Sequence, residues 1–287
     1  MKGRTRLKPV DLITYISLLA LILTALGTLP DNPHVPALLF KYTGLALVLT
    51  LLWWLDRGRI WILRPLHAFY PLVFIPILFD SFADLLPWAS PTERDPVLIQ
   101  LDLSLLGTHP TVWLEQFVHP GLTELLTWAY ASYYFLPVIM AVALYSWGKV
   151  WGFDRAVFGV VLGFYLSYLG YFLVPAVGPR FTLAHLQRAE ISGVLLADTI
   201  RETLNTLERF KQDAFPSGHT AVVLLVLYYV WQFVRGLFWV FLPLVVALIF
   251  STVYLRYHYV VDVLAGILLA AICLILERMT MAFWRRP

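Results

Sequence analysis

Apolar and polar positions fall in long blocks along this chain rather than at strand intervals or on one helical stripe. Apolar runs of about 20 residues, each long enough for a bilayer core of about 30 Å, occupy 10–29, 36–55, 66–86, 125–147, 156–176, 217–234, 237–255 and 258–279. In hydrocarbon a chain satisfies its own backbone as a helix or a closed barrel, and uninterrupted runs of this length fit helices. The pattern predicts an all-α integral membrane protein with about eight transmembrane helices. The first run exceeds a signal peptide in length and ends in Pro30-Asp31-Asn32-Pro33 instead of a small-residue cleavage site. Lys41 sits near one end of the second, where it can snorkel. The third is broken by Pro71 and Pro76 and carries Asp80 and Asp84 near its far end, at a wet boundary or lining a cavity.

Two long connections interrupt the pattern. Residues 89–123 are mostly polar, with Asp95, Asp102 and Glu115, and include Val112-Trp113-Leu114, suited to lying on the membrane surface. In 177–214, Ile200, Thr203, Leu204, Leu207 and Phe210 recur at helical spacing against Arg201, Glu202, Glu208 and Lys211. That stretch reads as an amphipathic helix that covers a site or packs on the bundle.

Composition confirms the class and removes others. With 60% hydrophobic and 14% charged residues and a mean hydropathy of +0.75, no soluble domain is left over. The net charge of +3 is spread over loops, which gives no nucleic-acid surface, and Cys273 alone forms no internal disulfide. Lys2, Arg4, Arg6, Lys8, Arg57, Arg59, Arg64, Lys149, Arg155, Arg235, Arg278, Arg285 and Arg286 all fall on the side that holds both termini. The positive-inside rule makes that side cytoplasmic in a plasma (inner) membrane and turns both long connections outward. Trp53-Trp54, Trp61 and Tyr133-Tyr134 read mainly as interfacial belts, with the lining of a substrate cavity as the alternative for some of them.

Candidate chemistry gathers on the outer face. Pro216-Ser217-Gly218-His219 precedes an apolar run. Glycine lets backbone N–H groups approach an anion, Ser217 adds a donor, and a helix N-terminus favours negative charge; a plain capped turn has the same letters. From His219 to His258 is 39 residues, about 60 Å of helix, or one passage across the bilayer and one back. His258 and Asp262 share a helical face, so the carboxylate can fix the tautomer of the imidazole; a structural contact or half of a metal site remains open. Arg256 stands just before this pair, and Arg180 follows Gly178-Pro179 at the end of the fifth run. Two histidines, an aspartate, two arginines and a glycine loop suit phosphoryl transfer.

At these residues the chain resembles the type 2 phosphatidic acid phosphatase (PAP2) superfamily. Pro216 to His219 matches that family's second motif, and His258, Asp262 and Val263-Leu264-Ala265-Gly266 its third. The resemblance implies a six-helix catalytic core in spans three to eight and two additional N-terminal helices, dividing the chain into 1–62 and 63–287. It implies that His258 is a nucleophile forming a phosphohistidine, that Asp262 orients it and that His219 protonates the leaving group, with neither metal nor other cofactor. Arg180, Arg256, Ser217 and Gly218 would hold the phosphate. Thr252 stands where the family usually has an arginine and Leu173 where it has a lysine. Together with Arg256-Tyr257-His258-Tyr259 and Tyr130 to Pro137, these departures resemble the inositol phosphorylceramide synthase (Aur1-like) branch. The expected activity is hydrolysis of a lipid phosphate ester at the outer face. The alternatives are transfer of a phospho-headgroup to a lipid or polyol alcohol, anion transport, and zinc-dependent hydrolysis. The expected partners are a lipid phosphate and the membrane, with no nucleic acid; oligomeric state, the identity of the lipid and the roles of Asp80, Asp84 and Asp102 stay open.

Overall fold

The computed structural model describes residues 7–29, 31–57 and 64–284. Lys2, Arg4, Arg6, Gly58, Arg59, Trp61, Arg285, Arg286 and the expected boundary at 62/63 lie outside the described residues. Within them the regular elements are helices, and one parallel bridge pairs Ala176 with Asp213. The chain divides into two compact units, one running to Pro91 and including the segment from Met279, the other Thr92–Arg278.

The first unit holds α1 (Pro9–Gly27), α2 (Val35–Arg57), α3 (Arg64–Phe69) and α4 (Pro71–Ala89). The third apolar run breaks once, at Tyr70, and continues through Pro76 as helix. Buried polar groups in these helices find partners, as a low-dielectric setting requires. His67 lies between Asp11 and Asp56, 3.2 and 3.1 Å from its ring nitrogens. Tyr42 meets Ser81 at 2.9 Å, Lys41 pairs with Asp80 at 3.6 Å, and Asn32 donates to the backbone oxygen of Asp84.

The second unit comprises α5 (Asp95–Leu106), α6 (Pro110–Trp113), α7 (Pro120–Ala131), α8 (Leu136–Ser146), α9 (Val150–Leu173), α10 (Pro179–Thr182), α11 (Ala197–Leu207), α12 (Gly218–Phe233), α13 (Arg235–Tyr254) and the larger part of α14 (Val260–Trp284). Among the described residues of the whole chain six stretches are long and apolar enough to cross a bilayer, and seven if α7 and α8 form one bent passage. The bend is 47°; it falls where a 3₁₀ turn, Ser132–Tyr134, meets a helix whose first turn contains Pro137, which has no N–H to continue the ladder. α12, apolar but only 16 residues long, packs against α8, α9 and α13. On α9, a Cβ at Gly159 would lie 2.0 Å from Tyr229 Oη and one at Gly163 2.7 Å from Leu225 Cδ1, so small residues set how closely α9 and α12 approach.

Two expectations change here. α9 starts at Val150, before the run anticipated from Ala156, so Arg155 is a helix residue and not a loop charge. Its guanidinium makes two hydrogen bonds, of 2.6 and 2.9 Å, to Glu277, whose side chain is fully buried. α11 ends at Leu207, leaving Glu208, Phe210 and Lys211 beyond it; Glu208 accepts a hydrogen bond from Tyr134 and Phe210 packs on Tyr171.

Candidate active site

The Pro216-Ser217-Gly218-His219 loop is seated by backbone contacts from two helices. Its Phe215–Pro216 bond is cis. Ser217 N–H donates to the carbonyl of Asp262 at 3.0 Å. A Cβ at Gly170 of α9 would stand 2.1 Å from Pro216 Cδ, so the loop lies against α9 where no side chain intervenes. Gly218 likewise leaves room for Tyr171, whose hydroxyl would be 2.6 Å from an added Cβ. The Ser217 hydroxyl accepts from Thr220 N at 3.3 Å and lies 3.0 Å from Thr220 Oγ1, fully buried. Its side chain is therefore the N-cap of α12. Capping the helix here fixes His219 in the first turn.

After α13 the chain turns through Arg256, at φ 67°, while Tyr257 N and His258 N both donate to Thr252 O. Thr252, standing in a position the family usually fills with arginine, is thus a hinge for the turn that delivers His258. The ring of His258 is pinned by Nδ1 to the carbonyl of Ala214 at 2.8 Å. A carbonyl only accepts, so Nδ1 carries the proton and Nε2 presents a lone pair. That lone pair faces His219 Nδ1 at 3.3 Å, so the two imidazoles meet. Asp262 Oδ2 is 3.5 Å from His258 Nδ1 and accepts from Tyr259 N at 2.8 Å. The hydrogen bond expected from Asp262 to the imidazole is therefore made by Ala214, because the carboxyl group is engaged at the start of α14. Burial pushes the His258 imidazole down to about 4, against the opposing pull of the Asp213 carboxylate. Burial in turn raises Asp213, and neighbouring Glu208 adds to the rise.

Aromatic rings close around the pair. Tyr130 and Tyr133 lie on His219 at centroid distances of 4.8 and 4.2 Å, and Tyr130 stacks on Tyr257 at 4.5 Å. Tyr133 packs against His219, and Tyr134, an exposed side chain, donates to Glu208.

The arginines sit nearby with different commitments. Arg180 N–H donates to Arg256 O at 2.9 Å, joining the two loops. The guanidinium of Arg180 stacks over Tyr257 and Phe181, each at 4.7 Å, and donates to Asn205. Arg256 is held by Glu115 at 2.8 Å and by Ala189 O at 2.7 Å. Its charge is thus largely matched by a carboxylate, which favours a structural use over a phosphate clamp.

Four acids left unassigned by sequence build this arrangement. Asp95 accepts from Val177 N, Gly178 N and the hydroxyl of Tyr259. Asp102 accepts from Val260 N and Val261 N at the start of α14. Glu115 accepts from Arg188 N as well as from Arg256. Glu124 gathers the N–H groups of Val194, Leu195, Leu196 and Ala197 at the start of α11. Their partners lie 70 or more residues away, so no local sequence signal marks them. Among the described residues no three His, Cys, Asp or Glu side chains gather as a metal site would need.

Residues 97–276, more than half of the chain, match the model of the PAP2 superfamily. The chain belongs to this superfamily. The PAP2 match runs from α5 to within α14 and so contains both histidines, Asp262 and both arginines. A PA-phosphatase related-family protein of Dictyostelium discoideum is 23% identical over 220 residues, covering 69% of this chain. The chain spans 38% of that relative's length. No solved structure matches.

Proposed function

We propose that this PAP2 protein is a membrane lipid-phosphate phosphatase that works through a phosphohistidine on His258. The observation that carries the reading is the facing pair of imidazoles, with His258 Nδ1 on Ala214 O and Nε2 3.3 Å from His219 Nδ1. In the first step Nε2 of His258 attacks phosphorus, the bond from phosphorus to the lipid oxygen breaks, and His219 delivers a proton to that oxygen. In the second, water attacks the phosphohistidine, giving up a proton to His219 and releasing phosphate and free His258. Asp213 favours the positive charge that develops on the His258 ring, and Asp262, 3.5 Å from Nδ1, helps to orient it. Arg180 supplies charge for the phosphate oxygens, and the backbone at Gly218 approaches them closely. The scheme uses no metal or other cofactor. By the positive-inside rule the termini are cytoplasmic and the reaction is extracytoplasmic.

A second reading, transfer to an alcohol in the manner of the Aur1-like branch, is favoured by one observation. Tyr130 and Tyr133 pack on His219 where a hydrolase would admit water freely. Purified protein in detergent, given phosphatidate with and without alcohol acceptors, separates the two. Release of phosphate in water alone supports hydrolysis, whereas a new phospholipid formed only with an alcohol supports transfer. Turnover in detergent, without a sealed vesicle, also excludes transport as the main activity. His219→Ala should lower the rate roughly 10²–10⁴-fold, the usual contribution of a positioned acid, and an unchanged rate would remove His219 from the scheme.

A further inference from the structure

The two imidazoles of the site are held in different ways. His258 is pinned by the hydrogen bond from Nδ1 to the carbonyl of Ala214. His219 has no such pin: its Nδ1 faces His258 at 3.3 Å, and its Nε2 is buried with no hydrogen-bond partner among the described residues. Rotation of an imidazole about its Cβ–Cγ bond is broad, so a single contact to the other histidine leaves this ring free to swing. What limits the swing is a pair of aromatic rings. Tyr130 lies at 29° to the His219 ring with centroids 4.8 Å apart, and Tyr133 lies closer, at 41° and 4.2 Å.

The two tyrosines are not equivalent. Tyr130 is stacked on Tyr257 at 4.5 Å, and the guanidinium of Arg180 covers Tyr257 at 4.7 Å. Tyr130 is thus the middle of a column that ends in a cation. The other rings near Tyr133, those of Tyr134 and Phe164, are steeply inclined to it and farther away, at 5.4 and 6.2 Å. Tyr133 is carried by the 3₁₀ turn Ser132–Tyr134 between α7 and α8, which sets its backbone independently of the His219 helix. The face of an aromatic ring carries negative charge density, and a cation against it is attracted, more strongly where water is excluded. An acid that protonates a leaving oxygen must be both in place and carrying its proton, and contact with the Tyr133 ring serves both needs.

We propose that Tyr133 is the positioning residue of His219, holding the imidazole in place and in its proton-bearing form through its ring rather than its hydroxyl. The proposal rests on the reading of His219 as the acid of the first step.

The test compares an alkyl phosphate with para-nitrophenyl phosphate in the first turnover, where release of the alcohol precedes attack by water. Nitrophenolate departs without a proton, so its release reports transfer to His258 with little need of the acid. Tyr133→Leu should lower the first-turnover rate on the alkyl ester at least roughly ten-fold, part of the 10²–10⁴ that a positioned acid contributes, and change the nitrophenyl rate less than about three-fold. Tyr133→Phe keeps the ring and should recover most of the loss. In a His219→Ala background, Tyr133→Leu should add no further loss. If Tyr133→Leu loses its native elution profile, phenylalanine and its pentafluorinated form are compared at position 133 instead. The fluorinated ring has a similar shape but a face depleted of negative charge, and it should again slow the alkyl ester selectively. Equal losses on the two esters, unchanged rates on both, or a further loss in the His219→Ala background would overturn the positioning role. A His219→Ala protein that slows both esters equally would instead remove His219 as the acid, a failure of the underlying reading that the Tyr133 variants do not share.

Discussion

At the scale of single residues, the protonation state of His258 decides whether it can attack. Burial holds its imidazole near 4, below the ordinary histidine value of about 6.5. The folded protein therefore favours neutral His258. The stability this contributes is complete above about pH 6.5 and is lost as pH falls toward 4. Ring-labelled protein should show a histidine resonance, absent in His258→Ala, that titrates near 4, and Asp213→Asn should move it lower because the opposing carboxylate is gone. A midpoint near 6.5 would contradict the burial argument. Gly178 is the other sensitive residue. It sits at φ 87°, and an added Cβ would come 2.5 Å from Tyr257 O. Gly178→Ala should destabilise by about 1–3 kcal/mol, read as a lowered melting temperature in detergent, and reduce activity by displacing the turn that carries His258. The two histidines were legible in sequence because their spacing fits one return trip across the bilayer. The use of Ser217 was not, since a helix cap and an anion donor are written with the same residue.

At the scale of elements, α11 and α14 are held at their N-termini by carboxylates from elsewhere in the chain. Glu124→Ala removes the acceptor shared by four N–H groups before α11. Hydrogen exchange of Val194 to Ile200 should accelerate in this variant while α12 is unaffected; equal protection would show that α11 is held by its packing alone. Asp102→Ala exposes Val260 N and Val261 N and should cost about 1–2 kcal/mol, as loss of a helix cap does. Apolar runs of bilayer length located the long helices from sequence, since burial in lipid leaves a strong periodicity-free signal. The carboxylate clips and the bend between α7 and α8 were not visible, because they depend on pairings between distant segments. The amphipathic stretch showed α11 but not its end at Leu207, beyond which Glu208 accepts from Tyr134.

At the scale of the whole molecule, the proposed orientation would put α11 outside the cell and the junction of α8 and α9 inside it. Cys273 is buried, so introduced cysteines report topology with little background. Leu195→Cys should react with a membrane-impermeant maleimide in intact cells, and Val150→Cys only after permeabilisation. The reverse pattern would invert the orientation. The charge asymmetry behind this orientation was legible in sequence, but the place of Arg155 inside α9 was not, because a helix start cannot be fixed within several residues from apolar content. Its pairing with Glu277 is a stability feature: Arg155→Ala leaves a buried carboxylate unmatched and should cost about 3–5 kcal/mol.

The central claim is that phosphorus is transferred to His258. Purified protein turned over briefly with phosphate-labelled phosphatidate, quenched in alkali and digested should yield one labelled peptide containing His258, with acid-labile phosphate on the imidazole. The label should vanish in His258→Ala and accumulate in His219→Ala if deprotonation of the attacking water is slowed more than the first step. A fully active enzyme whose label is absent, or lies on any residue other than His258, would contradict the account.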